Sequence, residues 1–215
     1  MQIPTIHSTL LIIFFNSVFE NILWKKFNKI RIIALKKNIG YARAVKLASK
    51  IISSEWILLI NPDAKIPSTY IETLLRIYTL LCSKIGSNKL VLSGRILSGD
   101  GSLILSEGGI FDPLTGFDWH INWKNKNVCD RKKIIGIVDY LPFVAALLPY
   151  NAIQQLDDNY FLYNEDLDLA LQLKKQNFLF IVVHLTQVYH NIQLRRRPLH
   201  EIRLYYHIKG RLILL

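Results

Sequence analysis

The sequence predicts an α/β fold, a mostly parallel sheet flanked by helices. Two observations carry this. Short β-branched apolar runs alternate with segments of helical apolar spacing, and right-handed crossovers between such strands make a parallel sheet. The chain of 215 residues is also long enough for one domain with a large core. We read residues 1–215 as that single domain, with 198–215 opening a basic C-terminal helix.

Element by element, Leu10 to Phe15 is a buried strand followed by a helix. It is too short to span a bilayer and has no basic lead-in for a secretory signal. Lys29 to Leu35 is the next strand, and Gly40 to Ile52 a helix whose apolar face is Ala44, Leu47, Ala48 and Ile51. Glu55 to Ile60 (EWILLI) is a strand stopped by Pro62 in Asn61-Pro62-Asp63-Ala64. Thr69 and Glu72 have capping-box spacing for a helix running to about Cys82. Lys89 to Leu97 is a third strand. Residues 98–133, with Gly99-Asp100-Gly101 and Gly108-Gly109 as turn signals, form a hairpin or insertion. Ile134 to Leu148 is strand-like. Asn164 is placed to N-cap a helix with Glu165 and Asp166 in its first turn. Phe178 to Val183 is a strand again, and His190 sits at a strand end.

Composition narrows the function classes. With 51% hydrophobic residues the chain is not disordered, and two cysteines, Cys82 and Cys129, do not make a disulfide scaffold. The net charge of +11 favours an anionic partner: a nucleotide, a phospholipid surface or nucleic acid. The basic clusters (Lys25-Lys26, Lys36-Lys37, Arg131 to Lys133, Arg195 to Arg197) are scattered. They lack a groove-reading helix or an aromatic platform, so we expect no nucleic-acid partner.

Candidate chemistry lies where open α/β sheets bind ligands, at the carboxyl ends of strands. Asp63 follows a buried strand in a Pro-bent loop. It is placed either to hold a hard divalent cation or to cap the next helix. In Asn159 to Asp168 (NYFLYNEDLD), Glu165, Asp166 and Asp168 follow an aromatic lead-in. Apolar surroundings raise the proton affinity of a carboxylate, which suits a general base; an acidic helix N-terminus is the plainer reading. His190 is a structural histidine or, beside a metal, a ligand. Arg195 to Arg197 is a solvated run or a diphosphate clamp.

Four segments occur in a familiar order: KNIGYARA (Lys37 to Ala44), LLINPDAKIP (Leu58 to Pro67), LDDNYFLYNEDLDLALQLKK (Leu156 to Lys175) and VYH (Val188 to His190). With these the chain resembles the family 2 glycosyltransferases of GT-A fold, in particular rhamnosyltransferase-like members, over roughly residues 10–212. The resemblance implies a metal-dependent, inverting transfer of sugar from a nucleotide-sugar donor to a glycan or lipid-linked acceptor. It implies a divalent cation, Mg or Mn, held by Asp63, with His190 as the C-terminal histidine that helps hold the metal or the diphosphate. Asn38, Gly40, Arg43, Asn61 and Asp63 would line the nucleotide-sugar site. Glu165 and Asp166 would form the catalytic pair, with Asp166 as the base. A cytoplasmic location, at the inner face of a membrane with peripheral contact, is the matching expectation.

The chain also departs from that pattern. The usual first strand is missing, Phe15 replaces a base-contacting Asp, and Lys46 stands where Asn is common. Phe143 or Val144 falls where a Gly usually lets the backbone approach the donor. A truncated or diverged transferase, or a catalytically inactive remnant that binds a partner, fits these departures.

Overall fold

The computed structural model describes residues 10–14, 30–126, 133–191 and 201–214. Phe15, Asn16, Ser17, Cys129, Arg131 and the Arg195 to Arg197 triplet lie outside the described residues. The strands are β1 (Leu10–Phe14), β2 (Ile30–Ala34), β3 (Trp56–Ile60), β4 (Ala64–Lys65), β5 (Leu90–Ser98), β6 (Ile104–Ser106), β7 (Gly109–Phe111), β8 (Asp118–His120), β9 (Ile135–Val138), β10 (Ala145–Pro149) and β11 (Leu179–His190). The helices are α1 (Tyr41–Ser49), α2 (Tyr70–Ile85), α3 (Tyr150–Ile153), α4 (Glu165–Lys174) and α5 (Glu201–Leu214).

The central sheet runs β3-β10-β5-β11-β4, with β6 on β5 and β9 on β11. Strands β5 and β11 pair in parallel, while β10 lies antiparallel between β3 and β5. So β3, β5 and β11 point one way, as the crossover pattern predicts, and β10 is threaded between them in reverse. The sheet is therefore mixed, and its antiparallel pairs (β3–β10, β5–β10, β4–β11, β9–β11, β5–β6) outnumber the parallel β5–β11 pair. Strands β1 and β2 pair in parallel as a two-stranded sheet.

The continuous apolar run at 134–148 is two strands, not one. β9 pairs with β11, β10 with β3 and β5, and Asp139 to Val144 with Pro142 separates them. A proline supplies no ladder donor, so the chain leaves one edge and enters elsewhere. Between β5 and β9, the 98–133 stretch supplies β6 and the β7–β8 hairpin, which turns at Gly116 with φ +70°.

Both faces of the sheet are buried, and alternation sorts the side chains. Ile57, Leu59, Val91, Phe180 and Val182 face the core shared with α1, α3 and α4. Leu90, Leu92, Ile181 and Val183 face the other core, with Tyr70, Leu74 and Leu81 of α2. A strand with both faces covered reads as an unbroken apolar run.

Helix α2 starts after Thr69, but the Thr69 side chain makes no capping hydrogen bond; Glu72 instead pairs with Arg76 at 2.8 Å. The helix runs past Cys82 to Gly86, whose left-handed conformation (φ +71°) lets its N–H close on the Cys82 carbonyl at 2.9 Å.

Candidate active site

The carboxyl end of β3 delivers the Asn61-Pro62-Asp63-Ala64 turn. It is closed by an Ala64 N–H bond to the Asn61 carbonyl at 3.0 Å. Pairing of β4 with the end of β11 then sets Ala64 opposite His190, and the Asn191 N–H donates to the Asp63 carbonyl at 3.1 Å. Held on both sides, Asp63 Oδ1 meets His190 Nε2 at 3.0 Å. The imidazole is buried, at 11% side-chain exposure, while the carboxylate is 53% exposed and wet.

The 3.0 Å separation is that of a hydrogen bond, and it also matches the spacing of two ligands of a hard divalent cation. Two ligands at right angles, each about 2.1 Å from an octahedral ion, stand about 3.0 Å apart. Such ions also keep waters and phosphate oxygens in their shell, so two protein donors are compatible with the role. Among the described residues no cluster of three His, Cys, Asp or Glu side chains forms a ready metal centre.

The acidic pair is built by α4. Tyr163 and Asn164 both adopt left-handed backbone, φ +67° and +66°, before the helix begins. Asn164 occupies the N-cap position, but its side chain does not cap; its amide donates to the His207 carbonyl at 3.3 Å. Asp166 Oδ1 accepts the Leu167 N–H at 2.9 Å. Burial raises its proton affinity above the usual carboxylate range despite this donor. Glu165 is buried, one of its oxygens has no partner, and burial together with the neighbouring Asp166 charge raises its proton affinity further. The Tyr41 hydroxyl donates to the Phe143 carbonyl at 3.4 Å; burial and then the charges of Glu165 and Asp166 push its phenol up. Asp168, by contrast, is taken by Gln172 at 2.6 Å, a contact along the helix.

One backbone segment links the two ends. The Val144 carbonyl accepts the Asn61 N–H at 2.9 Å, and the Phe143 carbonyl, one residue earlier, accepts the Tyr41 hydroxyl at 3.4 Å. The side chains of Phe143 and Val144 are buried in the two opposite cores. It is the carbonyls of this segment, not a missing Cβ, that join the Asp63 turn to Tyr41 beside the acidic pair.

The Asn38–Arg43 segment is used differently. Asn38 Oδ1 accepts the Gly40 N–H at 2.9 Å and shapes the turn before α1. Gly40 has φ +87°, and a Cβ there would lie 2.7 Å from the Phe161 carbonyl oxygen. The Tyr41 N–H donates to that same carbonyl at 2.9 Å. Arg43 Nε donates to the Asp158 carbonyl at 3.0 Å and Lys46 Nζ to that of Leu156 at 3.1 Å. These contacts tie α1 to the loop that leads into Glu165 and Asp166. Among the described residues, no hydrogen bond joins Asn38, Gly40 or Arg43 to Asp63 or His190.

The aromatic lead-in also has defined partners. Tyr160 is in the core, Phe161 stacks on Tyr206 at 4.7 Å, and Tyr163 stacks on His207 at 3.9 Å. Tyr41, His207 and Gly210 were not singled out by sequence. Their parts depend on contacts made across the fold, and only the Gly40-Tyr41 turn left a local signal. Two cavities lie elsewhere. One of about 370 Å³ is mostly apolar, bordered by Ile110, Ile121, Val138 and Phe180 with the Asp139–Lys174 pair; one of about 410 Å³ is lined by Arg95, Glu107, Asn122, Lys126, Lys133 and His184. Neither takes in Asp63, Asp166 or His190.

No known family model matches this sequence, and no curated protein matches it. Structures do. A crystal structure of GalNAc-T7 with UDP, GalNAc and Mn²⁺ superposes with a TM-score of 0.66 at 11% identity, covering 94% of this chain and 42% of that one. The structure of A197 from STIV gives a TM-score of 0.48 at 11% identity, covering 86% and 85%. The chain has the GT-A-like α/β fold of the first and spans less than half of that protein's length. Among the described residues no helix is long and apolar enough to cross a membrane.

Proposed function

We propose that this chain is a glycosyltransferase that moves a sugar from a nucleotide-sugar donor to a glycan or lipid-linked acceptor, with inversion. The observation that carries the reading is the Asp63–His190 contact at 3.0 Å together with the Phe143–Val144 segment, whose carbonyls accept the Asn61 N–H of the Asp63 turn and the hydroxyl of Tyr41 beside the acidic pair. In this reading Asp63 and His190 hold a Mg or Mn ion. When bound, that ion offsets the charge gathering on the departing diphosphate. Asp166 takes the proton of the acceptor hydroxyl as its oxygen bonds to the anomeric carbon. The bond to the diphosphate breaks, and its electron pair leaves with the nucleoside diphosphate. Glu165, buried beside it, keeps the proton affinity of the pair high. Asn38, Gly40, Arg43 and Asn61 shape the donor side by fixing the backbone around it. The match to GalNAc-T7, crystallised with UDP, GalNAc and Mn²⁺, supports the donor class and the ion.

A family 2, rhamnosyltransferase-like place in polysaccharide synthesis follows from the sequence resemblance. Peripheral contact with a membrane, at its cytoplasmic face, belongs to the same reading, and α5 supports the contact itself. It exposes Ile202, Leu204, Tyr205, Ile208 and Leu212 beside Lys209. The alternative, an inactive remnant that binds a partner, is favoured by Gly40, Arg43 and Lys46 being committed to the 156–161 loop. One experiment separates the two. Asp166→Asn is expected to lower sugar transfer about 10²–10⁴-fold while leaving Mn²⁺-dependent donor binding intact by calorimetry. Transfer equal to the parent's would remove Asp166 as the base; a parent that binds no donor would favour the remnant.

A further inference from the structure

The turn that aims the acidic pair is one the chain does not favour locally. Tyr163 and Asn164 are consecutive non-glycine residues with φ near +66°, and neither a glycine nor a side-chain cap relieves them. Such a turn persists only where its surroundings over-determine it.

Helix α5 supplies those surroundings. The His207 ring lies flat on Tyr163, centroids 3.9 Å apart and planes 10° from parallel. One residue earlier on the helix, Tyr206 stacks on Phe161 at 4.7 Å. The His207 carbonyl accepts the Asn164 amide at 3.3 Å. Gly210 is buried against the turn so closely that a Cβ would fall 2.4 Å from Asn164 Nδ2 and 3.1 Å from the Tyr163 carbonyl oxygen. The far end of the helix is anchored independently. Arg211 pairs with Asp118 and donates to the Gly116 carbonyl at 2.8 Å, while Ile213 and Leu214 pack on the core.

We propose that α5 is a positioning element, with Gly210 and His207 as the positioning residues that fix the Tyr163–Asn164 turn and so the aim of Glu165 and Asp166. The catalytic consequence rests on the function proposed above; the clamp itself does not.

The test uses the full chain with Gly210→Val, His207→Ala and His207→Phe. Amide hydrogen exchange is read across 163–168, alongside transfer kinetics and donor binding. Gly210→Val is expected to speed exchange at Glu165, Asp166 and Leu167 about tenfold or more while β5 and β11 keep their protection. Transfer should fall up to about 10²-fold in kcat, because a small misplacement of a reacting group is enough, with the KM for donor unchanged. His207→Ala should do the same more weakly, and His207→Phe, which restores a stacking ring, should recover it. Exchange at 163–168 that stays at the parent's level in both Gly210→Val and His207→Ala overturns the proposal. Should Gly210→Val not fold, the His207 pair decides, since that side chain sits at the surface. A parent without transfer activity refutes the proposed function, and exchange alone then decides the clamp.

Discussion

Glu165 and Asp166 are adjacent carboxyls with one environment between them, and their ionisation bears on stability as well as on the proposed chemistry. Each binds a proton more tightly folded than unfolded, chiefly because burial penalises the charge. A carboxyl whose proton affinity is raised on folding contributes stability while it stays protonated. That contribution is lost as pH rises through the folded-state value. Glu165→Gln is therefore expected to raise the melting temperature at pH 9, where the parent must bury an anion with one unpartnered oxygen. Near pH 5 it should change little. For a chain of this size each kcal/mol gained moves the midpoint by about 2–4 °C. Thermal melts at the two pH values check this; an equal shift at both would mean that charge burial is not the cause. The acidic run itself was plain in the sequence. Which member is sealed in, and that Asp168 is spoken for by Gln172, depends on neighbours 20 or more residues away as well as on the helix surface.

The elements differ in how far local pattern defines them. Strands such as Trp56 to Ile60 and helices such as Tyr70 to Ile85 follow from apolar run length and spacing, which a sequence states directly. The reversed insertion of β10 does not, because side-chain alternation is the same whichever way a strand points. Nor does the splitting of 134–148, which is decided by which ladders have room. The turn into α1 is a case where a single residue carries the geometry. Gly40 combines φ +87° with ψ 164°, a region that essentially only glycine visits, and its missing Cβ is what lets Phe161 approach. Gly40→Ala is expected to cost about 1–3 kcal/mol from backbone strain, before the clash with the Phe161 carbonyl is counted. Urea unfolding should show a lower midpoint at unchanged slope; a midpoint equal to the parent's would mean that α1 and the 156–161 loop are not tightly joined.

At the scale of the molecule, the α/β architecture was legible because buried strands and amphipathic helices alternate, and the Asp63–His190 meeting was legible only through the order of four short segments. What those segments bring together is two donors from opposite ends of the chain, 127 residues apart, closed by the β4–β11 pairing. That arrangement makes a demand that net charge alone does not. A chain of +11 attracts any polyanion, and such attraction weakens steeply with salt and needs no metal. Binding through Asp63 and His190 should instead require Mn²⁺ or Mg²⁺ together with a nucleoside diphosphate. Stabilisation should follow mass action, about 2.7 kcal/mol at a ligand concentration one hundred times Kd. A thermal-shift panel of nucleoside diphosphates, with and without Mn²⁺ and at 50 and 300 mM salt, should show a shift only where diphosphate and metal are both present. Asp63→Asn, which keeps a hydrogen-bonding partner beside the buried His190 ring, should abolish the shift while leaving the unliganded melting temperature nearly unchanged. A metal-independent shift that disappears at the higher salt would assign the binding to the basic surface, and Asp63 and His190 would be left as a structural ion pair closing the sheet edge.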